Sequence, residues 1–538
     1  MRVTQVIYLI FIIPISFCFA EKGFTHLATI SGDSTGDRYS VVCGGGDVNG
    51  DGYNDFIVGA PGGNYAELFL GGPDFDTIPE IVFETNYNTF GHSVSIEGDL
   101  NNDGYDDIVI GSPNFDYGGH GGINTAGIVS IYYGGSMLDT IADQELVVAD
   151  LDANTGWFYQ FGKKVLSGVD INGDGYDDLI VSAPHDDIDA HGRVYIYFGG
   201  PDFDDKYDIL LEGEDHFDFF GVDLDDVGDV NKDGINDIII GADQKLSTKP
   251  SHTGKAYLIY GGEEINLDSS TVFYGDSINY PHGYFGRYVA GLGDVDGDNY
   301  PDIGIVGGDY VQVISGKDND EIITIKGQSS FQYIGKLNNI NKDKYNDFAT
   351  SIYWEKPLPS GAGKVYIYFG DDEIVSSSNY EIDGKSKYHY FGKEVEYIGD
   401  INNDTNPEII ISECKIGNTD GRGKVYVYSY GNLNLIDDIP EINTNFKLKQ
   451  NYPNPFNSKT KIQYYIPKKC NMELSIYDFL GQKIKTLESG YKSYGHHSVD
   501  WNGKDESGMN VSSGIYFYKL ITNNSKKTHT TKKMIYLK

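Results

Sequence analysis

Residues 161–184 read FGKKVLSGVDINGDGYDDLIVSAP. The segment opens with an aromatic-glycine pair, reaches an acidic turn nine residues later at Asp170, and continues into an apolar run from Leu179. Apolar runs of this length beside Gly, Asp and Asn predict short β-strands, because these three residues adopt the backbone conformations of tight turns. The segment therefore predicts two strands joined by an acidic turn.

Seven copies of this pattern follow one another along the chain. The acidic turns begin at residues 47, 99, 170, 229, 294, 339 and 400. The aromatic residue stands nine positions before the turn in the five copies that contain Phe-Gly, whereas Arg38-Tyr39 and Ser330-Phe331 mark degenerate first and sixth copies. Unequal intervals between the turns indicate connectors of variable length. A repeat on this scale determines the architecture of most of the chain.

Each copy also contains a second β run, such as GRVYIYFGG at 192–200 or GKVYIYFG at 363–370. One copy therefore supplies about four short strands, which is the content of one propeller blade. Seven blades can close a ring, and closure removes the free sheet edges that a long all-β chain would otherwise expose. We expect an all-β fold with a seven-bladed β-propeller over residues 21–430, in which residues 24–32 complete the last blade.

The combination of Phe-Gly, the acidic turn and Gly-Ala-Pro, as at 59–61, resembles the FG-GAP repeats of the integrin α-subunit propeller. The resemblance covers residues 24–430. It implies a seven-bladed propeller that carries calcium in its inter-strand loops and binds ligands on the opposite face.

The acidic turns also have the oxygen donors that Ca²⁺ prefers. In Asp-x-Asn-x-Asp-Gly-x-x-Asp, positions 1, 3, 5 and 9 offer side-chain oxygens and position 7 offers a backbone carbonyl. Glycine at position 6 allows the positive φ that bends the turn around an ion. Neighbouring clusters of carboxylates repel one another unless cations neutralise them. We predict about five to seven calcium ions with dissociation constants of ~10⁻⁴ to 10⁻³ M. The alternative is a set of solvated Asp/Asn/Gly turns.

The predicted ligands occupy positions 1, 3, 5, 7 and 9 of six turns. They are Asp47, Asn49, Asp51, Tyr53 and Asp55; Asp99, Asn101, Asp103, Tyr105 and Asp107; Asp170, Asn172, Asp174, Tyr176 and Asp178; Asp229, Asn231, Asp233, Ile235 and Asp237; Asp294, Asp296, Asp298, Tyr300 and Asp302; and Asp400, Asn402, Asp404, Asn406 and Glu408. The sixth turn, with Asn339, Asn341, Asp343 and Asp347, carries Lys344 in place of glycine and is predicted to bind weakly or not at all. Binding at the seventh is left open, because Thr405 replaces the glycine and Glu408 the last aspartate.

Charge divides the 538-residue chain into two parts. The formal net charge is −39, yet residues 441–538 hold 16 lysines against 7 acidic residues. The strongly negative remainder repels nucleic acid, which excludes a nucleic-acid partner. Residues 1–20 have a basic start, an apolar stretch and Ala20 before Glu21, and they read as a signal peptide rather than a transmembrane helix. We expect export and no transmembrane segment in the mature chain.

Residues 431–445 break the repeat and read as a linker. The next segment, 446–538, contains NYPNPFN at 451–457 and alternating runs at 474–478 and 514–520, which predict a small Ig-like β-sandwich. It resembles the type A C-terminal sorting domain of the type IX secretion system and the FlgD-like Ig fold. The resemblance implies export through the outer membrane of a Bacteroidetes-like bacterium, followed by release or surface attachment. An ordinary Ig-like binding domain is the alternative.

No nucleophile elbow, phosphate-binding loop or zinc-protease motif occurs in the sequence, so we find no catalytic constellation. We expect a non-enzymatic binding or adhesion module for an extracellular protein or polysaccharide. A lyase-like polysaccharide-degrading enzyme and a surface-layer component are the alternatives. Tyr353 and Trp354 are candidate sugar-stacking residues. His185 and His191 are further candidates in a segment that, with Asp186 and Asp187, forms either a transition-metal site or a polar loop.

Overall fold

The structure is a computed structural model of the chain. It describes residues 22–73, 75–114, 127–148, 160–185, 191–243, 253–275, 284–327, 329–353, 361–386, 388–414, 421–432, 447–466, 470–492, 495–523 and 527–537. Every regular element in these ranges is a β-strand, which confirms the predicted all-β class, and they contain no helix long and apolar enough to cross a membrane. The chain divides into two compact units, Met1–Asp437 and Asp438–Lys538.

The first unit contains seven four-stranded antiparallel sheets, which are the predicted blades. Blades 1 to 6 each use four consecutive strands, numbered from the innermost outward. These strands are β2 (Val41–Gly44), β3 (Phe56–Ala60), β4 (Tyr65–Phe69), β5 (Ile81–Glu84); β6 (Ser93–Gly98), β7 (Asp107–Ser112), β8 (Ile128–Tyr132), β9 (Gln144–Leu146); β10 (Val165–Val169), β11 (Asp178–Ala183), β12 (Arg193–Tyr197), β13 (Ile209–Glu212); β14 (Leu224–Gly228), β15 (Asp237–Ala242), β16 (Lys255–Ile259), β17 (Thr271–Tyr274); β18 (Phe285–Gly293), β19 (Asp302–Gly307), β20 (Tyr310–Ile314), β21 (Glu321–Lys326); and β22 (Phe331–Lys336), β23 (Phe348–Ile352), β24 (Lys364–Tyr368), β25 (Tyr380–Asp383).

Blade 7 joins the two ends of the propeller. Its strands are β26 (Phe391–Gly399), β27 (Glu408–Glu413), β28 (Lys424–Asn432) and the N-terminal β1 (Lys22–Ser31). Strand β1 pairs antiparallel with β28, as expected for residues 24–32. Each inner strand contacts the inner strand of the next blade, and β26 contacts β2, so the ring is closed.

Neighbouring blades share their hydrophobic cores. Ile196 of blade 3 is in one buried cluster with Ile240 of blade 4, and Ile410 of blade 7 is in another with Val58 of blade 1. Burying one such side chain contributes roughly 1.5–3 kcal/mol. The repeated glycines permit this packing. A Cβ on Gly241 would lie 1.9 Å from the carbonyl oxygen of the glycine in the next Phe-Gly pair. The glycines of both motifs are therefore close-contact positions between blades.

A β-bulge explains the two spacings between the aromatic residue and the acidic turn. Five blades have a bulge between the first and second strands just before the turn, as between Asp226 and Gly228 in blade 4. Blade 1 has none, and blade 6 is irregular only at the other end of the pair. A bulge adds one residue to one strand. The aromatic residues of these two blades, Tyr39 and Phe331, therefore stand eight rather than nine positions before the turn.

The second unit is a β-sandwich, as predicted. One sheet has the order β29 (Lys447–Leu448), β30 (Thr460–Ile466), β33 (Gly495–Trp501). The other has the order β32 (Lys483–Lys492), β31 (Cys470–Asp478), β34 (Gly514–Asn523), β35 (Lys527–Tyr536). Trp501 is fully buried between the sheets and packs edge-on against Tyr516, with ring centroids 5.3 Å apart.

Candidate metal centres

The acidic turns connect the first and second strands of each blade, as between the end of β2 at Gly44 and the start of β3 at Phe56. Because the blades share one strand order, all seven turns lie on one face of the ring, the acidic face. The side chain at position 2 is buried in every turn and anchors the turn to the core. These residues are Val48, Leu100, Ile171, Val230, Val295, Ile340 and Ile401.

The carboxylate at position 1 holds the turn closed. Asp47 accepts the backbone N–H of Asp51 at 3.0 Å through one oxygen and that of Gly52 at 2.7 Å through the other. The bond from position 6 recurs in the second, third, fourth, fifth and seventh turns. The backbone of each of these turns is thus wrapped around a carboxylate by hydrogen bonds alone.

Position 9 is fully buried in every turn and clamps the turn to the third strand of the blade. Asp55 accepts the N–H of Val48 at 3.0 Å and that of Gly71 at 2.8 Å. Burial raises the pKa of Asp55 to about 7 and, in the seventh turn, the pKa of Glu408 to about 8. A buried carboxylate is unfavourable in its charged form unless a positive charge compensates it. Position 9 is therefore suited to a cation.

Two predicted ligand atoms are buried with no hydrogen-bond partner among the described residues: Asn101 Oδ1 at position 3 of the second turn and Glu408 Oε1 at position 9 of the seventh. Most buried polar atoms in proteins are paired, so such orphans call for an explanation. In the fifth turn, oxygens of Asp294, Asp296 and Asp302 lie within 4.8 Å of one another. Convergent carboxylate and amide oxygens are the donor set of Ca²⁺. The residues present thus fit the predicted ion.

In the described ranges, the fifth turn is the one place where three acidic side chains converge in this way. Its position 3 is Asp296, whereas the other six turns have asparagine there. An amide oxygen also coordinates Ca²⁺ but adds no charge. The fifth turn therefore offers the highest ligand charge at positions 1, 3 and 9.

The sixth turn differs from the others in its backbone. Position 6 has positive φ in the other six turns, including 70° at Asn299 and 71° at Thr405, whereas Lys344 is not in this conformation. Asn339 Nδ2 instead donates to the carbonyl oxygen of Asp343 at 2.7 Å. With a neutral amide at position 1 and no bond from position 6, this turn is the poorest cation site of the seven.

Position 4 was not predicted to have a special role, yet it has positive φ in all seven turns. The residues are Gly50, Asn102, Gly173, Lys232, Gly297, Lys342 and Asn403. Gly and Asn tolerate this conformation, and their presence at five of seven copies was the available signal. The two lysines adopt it because the surrounding turn holds them there, which the pattern of residue types does not indicate.

Each acidic turn also contacts the next blade. Gly135 donates its N–H to the carbonyl of Val48 at 2.8 Å, and Gly200 donates to Leu100 at 2.7 Å. Asp106 Oδ2, at position 8 of the second turn, accepts the N–H of Asp47 at 2.6 Å. An ion bound in one turn would therefore stabilise the joint between two blades.

The predicted histidine site is described only in part. The His185 ring lies 4.7 Å from that of Phe219, and the His191 ring lies 4.8 Å from that of His216. Asp186 and Asp187 lie outside the described residues. The described contacts of His185 and His191 are ring packing. The sequence pattern alone does not distinguish packed histidine rings from metal ligands.

Of the predicted sugar-stacking pair, Trp354 lies outside the described residues. The ring of Tyr353 lies 4.9 Å from that of Tyr390, and burial raises the pKa of Tyr353 well above its ordinary value. Tyr353 is thus a packed side chain beside the central channel. Cys43 and Cys414 are free thiols, so they do not form a disulfide with each other.

Comparison with known families supports the repeat assignment. The FG-GAP repeat matches residues 90–132 and 161–197, and an FG-GAP-like repeat matches residues 47–110. The FlgD Ig-like domain matches residues 456–526.

Integrin alpha subunits and a phospholipase are among the known proteins that are similar to part of the chain. Integrin alpha-5 of Xenopus laevis is 31% identical over 227 residues, which is 40% of this chain and 21% of that protein. Integrin alpha-8 of Mus musculus is 30% identical over 266 residues, or 47% of this chain and 24% of that protein. Phosphatidylinositol-glycan-specific phospholipase D of Mus musculus is 28% identical over 244 residues, which is 40% of this chain and 28% of that protein. The chain thus spans about a quarter of the length of these relatives. The first unit is thus a seven-bladed β-propeller that contains FG-GAP repeats, and the second contains a FlgD-like Ig domain.

Proposed function

We propose that this protein is an extracellular binding or adhesion module whose propeller is held rigid by calcium. The observation that carries the proposal is the set of acidic turns, in which oxygens of Asp294, Asp296 and Asp302 converge and whose backbones bond to the adjacent blade. A divalent ion in such a turn neutralises carboxylates and restrains two blades, a structural role. A rigid scaffold with variable loops is the usual basis of a binding surface.

The proposed ligand is an extracellular protein or polysaccharide. Similarity to integrin alpha-5 and alpha-8 supports a binding role for the propeller. The connectors opposite the acidic face differ in length between blades, since β3 ends at Ala60 and β4 begins at Tyr65, whereas β7 ends at Ser112 and β8 begins at Ile128. Such variation suits a surface that recognises a ligand, while the regular acidic face suits a structural role.

The test is an array of glycans and matrix proteins, probed with the purified chain in ~1 mM CaCl₂ and again in EDTA. We expect saturable binding to a component of the array in calcium, loss of binding in EDTA, and recovery of the bound ligand intact. Cleavage of the ligand would replace this proposal with the enzyme alternative. Assembly of the chain into a regular lattice without ligand binding would favour a surface-layer component.

We further propose that residues 1–20 are a signal peptide and that residues 446–538, after a linker at 431–445, are a sorting domain of the type IX secretion system. The FlgD Ig-like match over 456–526 and the lysine-rich composition of this segment support a role distinct from that of the propeller. The mature chain would be released from, or held on, the outer surface of a Bacteroidetes-like bacterium. Mass spectrometry of the exported protein should find residues 446–538 removed, and a surface-exposed form that still ends at Lys538 would contradict the sorting role.

A further inference from the structure

The inner strands of all seven blades enclose a central channel of about 640 Å³. Its lining includes six carboxylates and six Lys or Arg side chains, although acidic residues outnumber Lys and Arg by 80 to 41 in the whole chain. The cations are thus concentrated in the channel relative to the rest of the propeller. The charges there carry none of the roles assigned above to the acidic turns.

Most of the channel cations lie towards one end of the channel axis. Inner strands run from the Phe-Gly pair towards the acidic face, so the residue after Phe-Gly lies at the far end of the channel. That residue is His92, Lys163, Arg287 or Lys393 in four of the five Phe-Gly copies, and Arg38 precedes the aromatic residue of blade 1. We call these five residues the channel mouth. Further along the inner strands lie the carboxylates Glu97, Asp225, Asp226 and Glu396, with Lys336 among them.

The side chains of the mouth lie close enough to influence one another. Lys163 Nζ is 2.8 Å from His92 Nε2. Burial lowers the pKa of His92 well below its ordinary value, and the charges of Lys163, Lys393 and Arg38 lower it further. His92 is therefore neutral at pH 7 and can accept a hydrogen bond from the Lys163 ammonium. Lys393 contacts Ser40 Oγ at 3.2 Å, as well as the Glu394 carboxylate at 3.3 Å.

The two arginines of the mouth have no carboxylate partner among the described residues. Arg38 is exposed, and its backbone is in the left-handed conformation with φ of 56°. The guanidinium of Arg287 lies 5.6 Å from the ring centroids of Tyr284 and Tyr288. A guanidinium that is not committed to a carboxylate can pair with both oxygens of an acidic group on a ligand.

Below the mouth, Lys164 Nζ lies 3.5 Å from Asp223 Oδ1 and is surrounded by the charges of Asp225, Glu394 and Glu396. One ammonium therefore faces four carboxylates at this level. Because carboxyl groups surround the cation at this level, an anionic ligand is attracted to the mouth more strongly than to the deeper channel. The arrangement holds an anionic group at the mouth.

We propose that the channel mouth binds the carboxylate or sulfate groups of an acidic polysaccharide. Charge complementarity selects the anion, because the mouth is cationic within a part of the chain that is otherwise strongly acidic. Rings beside the cations favour a sugar over an acidic peptide, because Tyr284 and Tyr288 flank Arg287. Aromatic faces and guanidinium planes suit pyranose rings that carry an acidic group. This inference rests on the proposed binding function and specifies its ligand class.

The test compares dextran sulfate, neutral dextran and polyglutamate of similar length as ligands of the full chain. The double variant Arg38→Ala/Arg287→Ala leaves no orphaned carboxylate, so a melting temperature close to wild type is expected. Its affinity for dextran sulfate should fall about tenfold or more, since two charge-assisted contacts are lost. The matched control is Lys206→Ala, whose side chain is 81% exposed on an outer connector. Affinity within about twofold of wild type is expected there.

Arginine labelling separates this site from the lysine-rich second unit, because residues 441–538 contain no arginine. Dextran sulfate should protect Arg38 and Arg287 from phenylglyoxal, while Arg193, which pairs with Glu212 at 2.7 Å on an outer edge, should stay reactive. Equal protection of all three, no loss of affinity in the double variant, or tighter binding of polyglutamate would overturn the polysaccharide assignment. A protein or neutral-glycan ligand that binds wild type and double variant equally would overturn this inference and leave the broader binding function standing.

Discussion

The backbone N–H of Gly72 in blade 1 donates to the carbonyl oxygen of Ile401 in blade 7 at 2.9 Å. Ile401 occupies position 2 of the seventh acidic turn, so this bond crosses the joint at which the ring closes. Gly135 and Val48 form the equivalent bond at the next joint. The acidic turns are thus part of the contacts between blades, and a bound cation would stabilise the ring as a whole.

Strand β1 provides a first test of ring closure. The Phe24 ring lies 5.0 Å from that of Tyr430 and 5.5 Å from that of Tyr380, so Phe24 packs the N-terminal strand onto blade 7. Phe24→Ala should lower the free energy of unfolding by about 2–3 kcal/mol in urea titrations, because a half-buried ring is lost. Thr25→Ala, exposed on the same strand, should change it by less than about 0.5 kcal/mol. Equal effects of both substitutions would show that β1 does not hold the ring.

The fifth and sixth turns allow a matched test of calcium stoichiometry. Asp302→Asn and Asp347→Asn each remove one buried position 9 charge, and the remaining amide oxygen can still accept the N–H of Gly316 or Gly370. Because the fifth turn has three convergent carboxylates and the sixth lacks two of them, Asp302→Asn should lower the number of bound Ca²⁺ ions by one in calorimetric titrations. Asp347→Asn should leave it unchanged. Loss of one ion from both variants would contradict the ranking of the two turns.

Asp225 in the channel gives a prediction for pH. Burial raises its pKa from 3.8 to about 7, with Lys164 opposing the rise and Asp226 and Asp223 adding to it. The folded state therefore binds this proton more tightly than the unfolded state, and the stability that the proton contributes is lost as pH rises from about 3.8 to about 7. Between pH 3.8 and about 7, the melting temperature of Asp225→Asn should therefore fall less steeply with pH than that of the wild type.

The control for this prediction is Asp202→Asn, since Asp202 is exposed on an outer connector. Its melting-temperature profile, measured in the same EDTA-containing buffers, should run parallel to that of the wild type. A profile for Asp225→Asn that is also parallel to wild type would show that the Asp225 carboxyl does not titrate over this range.

The propeller was predictable because its local signals repeat. Each aromatic residue, acidic turn and apolar run is weak alone, but sevenfold recurrence fixes the blade number and the closing role of residues 24–32. The burial of position 2 also follows from the sequence, since an aliphatic residue such as Val48 or Ile401 stands there in every copy. Local patterns thus predicted the strands, the turns and the buried anchor residue within each blade.

The contacts between blades were not predictable in the same way. The bond from Gly72 to Ile401 joins residues more than three hundred positions apart, and no residue type is specific to it. The bulges that make the aromatic residue stand nine rather than eight positions before the acidic turn depend on strand register, which residue types alone do not reveal. The channel mouth could be predicted only if the residue after Phe-Gly were known to face the axis of the ring. That orientation places Lys163 and Lys393 near one another, although they are far apart in the sequence.

Stabilisation of the propeller by calcium is tested by its melting temperature in ~1 mM CaCl₂ and after chelation, measured by calorimetry. With dissociation constants near 10⁻⁴ M, each occupied turn adds about 1.4 kcal/mol to the free energy of unfolding. We expect a propeller transition several degrees higher in calcium, with the transition of the second unit unmoved as an internal control. A propeller transition at the same temperature in calcium and in EDTA would contradict it.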